Sequence, residues 1–142
     1  MPGRIRVFIG QIGALLMGRR TYDVVCGFAG PWPYGELPVL VATRRPLEPK
    51  VSSVRGVRGT PSELAEQARD AARDKDVYLD GGEMIRQFLD AGLVEEMTVT
   101  LIPTILGAGV PLFAGCARRH TFECVEAKPQ AQGLIQLTYR PR

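Results

Sequence analysis

The sequence has few of the residues from which metal sites and disulfide frameworks are built. It contains three cysteines, Cys26, Cys116 and Cys124, and a single histidine, His120. The cysteines are odd in number and lie outside any CxxC or Cys/His spacing, which argues against disulfides and zinc and favours a reducing cytoplasm. We therefore expect no metal site, and we expect His120, which follows two arginines, to be a solvent-exposed loop residue.

Long hydrophobic runs are also missing. Each apolar run breaks at Arg, Gly or Pro well before the roughly 20 apolar residues that a membrane-spanning helix needs. In the N-terminal segment, Gly10 and Gln11 interrupt the apolar residues and no small-residue cleavage site follows, so we expect no signal peptide. The sequence also lacks a GxGxxG motif between a strand and a helix and a GxxxxGK[ST] phosphate loop, which disfavours ATP-type chemistry.

The composition is that of one globular domain. The chain has 142 residues, of which 45% are hydrophobic and 23% charged, and this is enough for a single core. We predict one domain over residues 1–142. Residues 1–60 carry nine Lys/Arg against three Asp/Glu, which makes the first half a candidate anion site. Because there is no basic stripe with interleaved aromatics, a phosphorylated small molecule is favoured over nucleic acid.

The order of strand and helix patterns predicts a mixed α/β fold. Helices are expected after Gly18, after a capping box at Thr60, and after Gly81, with Gly92 ending the last one. The proline- and glycine-rich segment 27–38 is expected to be irregular. The predicted strands cover residues 12–17, 38–43, 54–58, 76–80 and 96–103. In the last of these, Met97, Val99 and Leu101 are expected on the buried side. Residues 121–126 and 133–140 are predicted to form an antiparallel hairpin.

Residues suited to phosphate binding follow three of the predicted strands. Glycine at the start of a helix leaves backbone N–H groups free for an anion, and arginine binds phosphate with two hydrogen bonds at once. Taken singly, each group is explained by turn glycines or by solvated loop arginines. Together they predict a site for a dinucleotide with an additional 2′-phosphate. The three groups are Gly18, Arg19, Arg20 and Thr21; Thr43, Arg44 and Arg45; and Gly81, Gly82, Glu83 and Met84.

Three segments resemble a known family when taken in order. They are MGRRTYD, LVATRRP and VYLDGGEMIRQFLDAGLVEEMTVTLIPTILGAGVPLF. The chain resembles the dihydrofolate reductase superfamily, and within it the C-terminal reductase domain of the bifunctional riboflavin-biosynthesis deaminase/reductase and its stand-alone bacterial relatives. The resemblance implies a mixed, mostly parallel central sheet flanked by helices, NADPH across its C-terminal edge, hydride transfer, and a homodimer.

The resemblance also implies a role for each group of site residues. The Gly18 and Gly81 groups would bind the pyrophosphate from two sides, the Gly18 group reaching the 2′-phosphate as well. Thr43, Arg44 and Arg45 would flank the adenosine 2′-phosphate. Trp32 and Tyr34 in the irregular segment are candidates for contacting a substrate ring, with the alternative that Trp32 is a rigid core residue. The sequence assigns no catalytic residue.

One departure from the family concerns the N-terminus. The family has a first strand with a Ser-Leu-Asp-Gly-like segment in the middle of its sheet, and residues 1–11 are expected not to supply it. Either the true start lies upstream, or the domain is incomplete and impaired in catalysis. Three functions follow as hypotheses: an NADPH-dependent reductase of the riboflavin-biosynthesis type, a dihydrofolate reductase, and a non-catalytic NADP-binding protein.

Overall fold

A computed structural model describes residues 5–6 and 11–142 of the chain. In this part the chain forms eight β-strands, three α-helices and one short 3₁₀ turn. The strands are β1 (Ile5–Arg6), β2 (Ile12–Gly18), β3 (Val39–Ala42), β4 (Val54–Val57), β5 (Asp76–Asp80), β6 (Met97–Leu101), β7 (Phe122–Pro129) and β8 (Ile135–Pro141), and the helices are α1 (Arg19–Cys26), α2 (Pro61–Ala72) and α3 (Gly82–Asp90).

The first five strands form a parallel sheet in the order β1-β5-β2-β3-β4. The central strand β2 is apolar on both faces, as a parallel strand covered on both sides must be. Its Leu16 lies opposite Leu40 of β3 and Leu79 of β5. With this register, the carboxyl ends of β2, β3 and β5 meet at one edge of the sheet. The predicted mixed α/β fold with a parallel sheet is confirmed.

Helices and loops cover the two faces of this sheet. On one face, Leu16 and its neighbours pack against α2 and α3, and the fully buried Phe88 belongs to this core. On the other face, Leu15 and Met17 pack with Tyr22 of α1 and with residues of the irregular segment 27–38. Side chains that alternate along a strand point to opposite faces, so β2 contributes to both cores.

The predicted helix ends are confirmed by their backbone geometry. Thr60 forms a capping box with Glu63 at the start of α2. At the end of α3, Gly92 has a φ of +70°, and its N–H donates to Leu89 O while the next N–H donates to Phe88 O. This pair of bonds is the Schellman arrangement, which favours glycine because of the positive φ. The segment 27–38 is irregular, as predicted.

The last three strands form a separate antiparallel sheet, in the order β6-β8-β7. The predicted hairpin is confirmed, since β7 pairs with β8 across a 3₁₀ turn at Ala131–Gly133. The expectation that Leu101 lies on a buried side is wrong: Met97 is buried but Leu101 is 54% exposed. Only the first part of β6 packs on the helical core.

The N-terminal segment was expected not to supply the family's first strand in the middle of the sheet, and among the described residues it contributes a two-residue edge strand. Ile5–Arg6 form the short strand β1, which pairs in parallel with Val77 and Tyr78 of β5. Ile5 is fully buried, its N–H donates to Glu95 Oε2 at 2.7 Å, and its carbonyl accepts from Glu95 N at 3.0 Å. Burial of an apolar side chain together with paired backbone groups explains this strand. Residues 1–4 and 7–10, which the same prediction covers, lie outside the described residues.

None of the helices in the described part of the chain has the length and apolar character required to cross a membrane.

Candidate functional site

A cleft of about 800 Å³ opens at the sheet edge where β2, β3 and β5 end. This is the position at which open α/β sheets generally bind ligands. The structure brings all eleven sequence-predicted cofactor-binding residues into the lining of this one cleft. They are Gly18, Arg19, Arg20, Thr21, Thr43, Arg44, Arg45, Gly81, Gly82, Glu83 and Met84.

Two glycines shape the floor of the cleft. Gly18 is the N-cap of α1 and Gly81 is the N-cap of α3, so neither cap has a side chain that accepts from the first-turn N–H groups. Gly81 has a φ of +100°, and a Cβ at this position would lie 2.6 Å from Thr21 Oγ1 and 3.8 Å from Gly18 N. The two junctions therefore lie against each other and present two helix N-termini to the same space. Such an arrangement favours an anion.

The lining of the cleft is strongly basic. Two arginines that the sequence analysis did not select, Arg58 and Arg86, join the four that it did, and Glu83 is the acidic residue among the described lining residues. Arg58 directly follows β4, the next strand of the same parallel sheet. Its position at a strand end is therefore the signal that could have identified it. A concentration of guanidinium groups in one cleft attracts phosphates and binds them with charge-assisted hydrogen bonds.

Arg19 is held in place across the cleft. Its Nε donates to Asp23 Oδ1 at 3.0 Å, and its Nη1 donates to Thr43 Oγ1 and to Pro46 O, both at 3.2 Å. Arg45 Nη2 lies 3.6 Å from the other carboxylate oxygen of Asp23. These contacts link the start of α1 to the segment after β3 and fix the direction of the Arg19 guanidinium.

Trp32 and Tyr34 do not line this cleft. Trp32 packs edge-on between Tyr22, with ring centroids 6.0 Å apart, and Tyr34, with centroids 5.3 Å apart. The cluster covers the face of the sheet on which Leu15 and Met17 lie. Trp32 Nε1 is buried and has no hydrogen-bond partner among the described residues. The packing agrees with the alternative that Trp32 is a core residue, and contact with a substrate stays a prediction.

Asp80, at the end of β5, is a candidate functional residue that the sequence analysis missed. Burial raises its pKa, and the N–H of Gly81, which donates to the carboxylate, partly offsets this. Burial also raises the pKa of Tyr34 and brings that of Tyr78 to about 12, and in both cases the nearby charge of Asp80 adds to the rise. A carboxyl that keeps its proton to higher pH is suited to donating it. The signal was an acidic residue at the end of a parallel strand, directly before Gly81.

The expectation that His120 is a solvent-exposed loop residue is wrong. Its side chain is 16% exposed, and Nε2 lies 2.7 Å from Asp90 Oδ1. Asp90 Oδ2 accepts from Ala117 N at 2.7 Å. The N–H of Ala117 and, after it, the bond to His120 lower the pKa of Asp90. The segment containing His120 therefore folds back on the end of α3, a tertiary contact that no local pattern predicts.

Comparison with known proteins identifies a family. The family model of the RibD C-terminal domain matches residues 32–135. A solved structure named as a riboflavin biosynthesis protein from Shewanella sp. PV-4 has 31% sequence identity and a TM-score of 0.81, over 93% of this chain and 75% of that one.

Two further proteins are matched over a smaller part of their own length. The diaminohydroxyphosphoribosylaminopyrimidine deaminase/5-amino-6-(5-phosphoribosylamino)uracil reductase of Thermotoga maritima has the same fold, with 15% identity and a TM-score of 0.65 over 92% of this chain and 46% of that one. The uncharacterized protein YyaP of Bacillus subtilis is 35% identical over 66 residues, which is 46% of this chain and 35% of YyaP. The matched part therefore spans less than half of either protein.

Proposed function

This chain belongs to the RibD C-terminal domain family, and on that premise we propose that it is an NADPH-dependent reductase of a phosphorylated pyrimidine or related heterocycle, resembling 5-amino-6-(5-phosphoribosylamino)uracil reductase. The family and the fold of its solved relatives support a reductase-like role. The observation that carries the proposal for the cofactor is the convergence of two glycine-capped helix N-termini and several arginines in one cleft.

The residues of the cleft fit NADPH. A volume of about 800 Å³ lies within the range of roughly 300–1,000 Å³ that is typical of small-molecule sites. The positive φ of Gly81 and the close approach of Thr21 leave no room for a Cβ, so backbone N–H groups border the cleft directly. Arginines flank these groups and supply the charge for a pyrophosphate and an additional 2′-phosphate.

Within this proposal, the chain positions the cofactor and supplies the polar groups around it. The first-turn N–H groups of α1 and α3 would bind the pyrophosphate, and Arg44, two residues after β3, would flank the 2′-phosphate. NADPH, when bound, supplies a hydride. Reduction of a C=N or C=O group also needs a proton, and Asp80, next to Gly81, is the described carboxyl whose burial favours the protonated form. Asp80 does not itself line the cleft, so we assign it no part in the transfer.

The first test is a calorimetric titration with NADPH. The proposal expects saturable binding that is tighter for NADPH than for NADH and that is weakened in an Arg19→Ala/Arg44→Ala double variant. An Arg55→Ala variant is the matched control, because Arg55 is exposed on β4 and outside the cleft. A folded chain that binds neither nucleotide would contradict the proposal.

The second test separates the three functional hypotheses. NADPH oxidation with 5-amino-6-(5-phosphoribosylamino)uracil supports the proposed reductase. Oxidation with dihydrofolate that methotrexate blocks would indicate a dihydrofolate reductase instead. Tight NADPH binding with no turnover of either compound would indicate a non-catalytic NADP-binding protein.

A homodimer is part of the proposal and rests on an exposed apolar surface. Residues 101–113 contain no charged side chain, and several of them are highly exposed, Ile105 and Val110 at 97%. On the adjoining sheet, Leu101 lies opposite Ile135, which is also exposed. A monomer rarely exposes so continuous an apolar surface. Because the surface is uncharged, a second copy presenting the same surface is a suitable partner.

Light scattering after size-exclusion chromatography tests the dimer. An Ile105→Asp variant is expected to elute as a monomer. A Val24→Asp variant is the control, because Val24 is 54% exposed on α1, away from this surface. A wild-type chain that is monomeric at micromolar concentration would contradict this part of the proposal.

The three cysteines are free, which supports a cytoplasmic location.

A further inference from the structure

Three side chains of metal-ligand type meet at the C-terminal end of α3. Asp90 is the last residue of the helix, and Cys116 and His120 come from the segment that folds back on it. One ligand atom from each residue lies within 4.8 Å of the other two. No metal site was expected from the sequence, because the local cysteine and histidine spacings indicate none and Asp90 is distant from both other residues in the chain.

The backbone around Asp90 fixes its carboxylate. Oδ2 accepts from Ala117 N at 2.7 Å, and Arg118 Nε donates to the Asp90 carbonyl at 3.1 Å. The other oxygen, Oδ1, is directed towards His120 Nε2 at 2.7 Å. Hydrogen bonds to one carboxylate oxygen are typical of metal sites, because they orient the carboxylate and leave its other oxygen for the ion.

We propose that Asp90, Cys116 and His120 form a Zn²⁺ site, with the carboxylate Oδ1, the thiolate Sγ and a ring nitrogen as ligands. Tetrahedral zinc with these donors separates its ligand atoms by about 3.3–3.6 Å. The observed atoms lie between 2.7 Å and 4.8 Å of one another. Side-chain rotations of modest size therefore bring all three to the required distances.

Three protein ligands leave a fourth coordination position of tetrahedral zinc to be filled. His120 lines a second cleft of about 340 Å³, together with Arg118, Arg119 and Arg142. We expect water, hydroxide or a small anion from this cleft as the fourth ligand, which is the pattern of a three-ligand zinc site. The arginines favour an anionic fourth ligand.

The electrostatics of the site depend on the thiolate. A carboxylate and a thiolate together balance the charge of a divalent cation, and the C-terminal end of α3 adds the negative end of the helix dipole. The Arg118 guanidinium, which lies against the same helix end, opposes a cation. Loss of the Cys116 thiolate is therefore expected to abolish binding rather than merely reduce it.

The site is separate from the nucleotide cleft. Gly82 begins α3 in the cleft and Asp90 ends the helix at the metal site. At a rise of about 1.5 Å per residue, the two sites are roughly 12 Å apart. Metal binding and NADPH binding can consequently be measured independently in the same variants.

Titration of the metal-free full-length chain with Co²⁺ and with Zn²⁺ alone tests the proposal. Co²⁺ bound by a thiolate in a tetrahedral site gives a sulfur-to-cobalt charge-transfer band and strong d–d absorption. The expected result is this spectrum at a 1:1 ratio, its loss on adding Zn²⁺, and a higher melting temperature with Zn²⁺. His120→Ala is expected to weaken Zn²⁺ binding at least tenfold, with NADPH binding unchanged.

A Cys26→Ser/Cys124→Ser double variant provides the decisive control. It retains Cys116 as its only thiol, it leaves the proposed ligands intact, and Cys124 is exposed. The thiolate band must persist in this variant and disappear when Cys116→Ser is added. If the double variant shows no band, or if wild-type chain binds Zn²⁺ no better than the triple variant, the proposal is overturned and the cluster is only a hydrogen-bonded contact.

Discussion

Arg19 of α1 donates from Nη1 to Oγ1 of Thr43, 3.2 Å away in the segment after β3. The same oxygen accepts from Arg45 N at 3.2 Å. One hydroxyl therefore positions a guanidinium and a backbone segment on the two sides of the cleft before any ligand binds. Donors that are already oriented lose less entropy when they bind a phosphate, which raises affinity.

Replacement of the Thr43 hydroxyl tests this preorganisation. Thr43→Val keeps the shape of the side chain but removes the acceptor for Arg19, and we expect NADPH affinity to fall roughly tenfold, the equivalent of about 1.4 kcal/mol. Calorimetric titration measures the change. Thr98→Val is the matched control, because Thr98 bonds to Thr138 at 3.2 Å in the antiparallel sheet, away from the cleft. An equal loss of affinity in both variants would show that the effect is not local.

Arg58 is expected to contribute to the choice between NADPH and NADH. It lines the cleft from the end of β4, and its removal takes away a guanidinium that can bond to a 2′-phosphate. Arg58→Ala should reduce the ratio of NADPH to NADH affinity about tenfold, since a charge-assisted hydrogen bond contributes about 1.5–3 kcal/mol. Arg55→Ala, on the same strand but outside the cleft, should leave the ratio unchanged. A preserved ratio in Arg58→Ala would exclude Arg58 from this role.

Alanine variants of two glycines distinguish the free-energy cost of backbone strain from that of a steric clash. Gly81 and Gly30 have φ values of +100° and +99°, but a Cβ at Gly81 would lie 2.6 Å from Thr21 Oγ1, whereas a Cβ at Gly30 would have nothing within 4 Å. Both Ala variants should lose at least about 1 kcal/mol of unfolding free energy from the positive φ. Gly81→Ala should lose more and should also lose NADPH binding. Urea unfolding measures the difference, and equal losses would contradict the close contact.

The raised pKa of Asp80 predicts a pH-dependent stability. Because burial raises its folded-state pKa above the unfolded value of 3.8, the folded chain binds this proton more tightly. The stability contributed by protonated Asp80 is therefore present below pH 3.8 and is lost as the pH rises through the folded-state pKa. Asp80→Asn should be more stable than the wild type at pH 7 and equal to it at low pH. Thermal melts across this range measure the difference, and a difference independent of pH would contradict the prediction.

Local patterns were sufficient for most of the secondary structure. The capping box at Thr60 and the positive φ of Gly92 involve neighbouring residues, and so the helix ends were predictable from short-range rules. The strands around Leu16 and Leu40 were predictable because strands buried on both faces are continuously apolar. In contrast, the burial of Leu101 was predicted wrongly, because the alternation of residues along β6 does not indicate where the packed core ends.

The sequence by itself determined eleven of the residues that line the cleft, because the carboxyl ends of parallel strands necessarily meet at one edge of the sheet. It also determined the family, through three segments in a fixed order. Only the tertiary structure placed Arg58 in the cleft, Ile5 beside β5, and His120 against Asp90. These contacts join residues far apart in the chain, and they depend on chain reversals and on burial that no periodicity or spacing encodes.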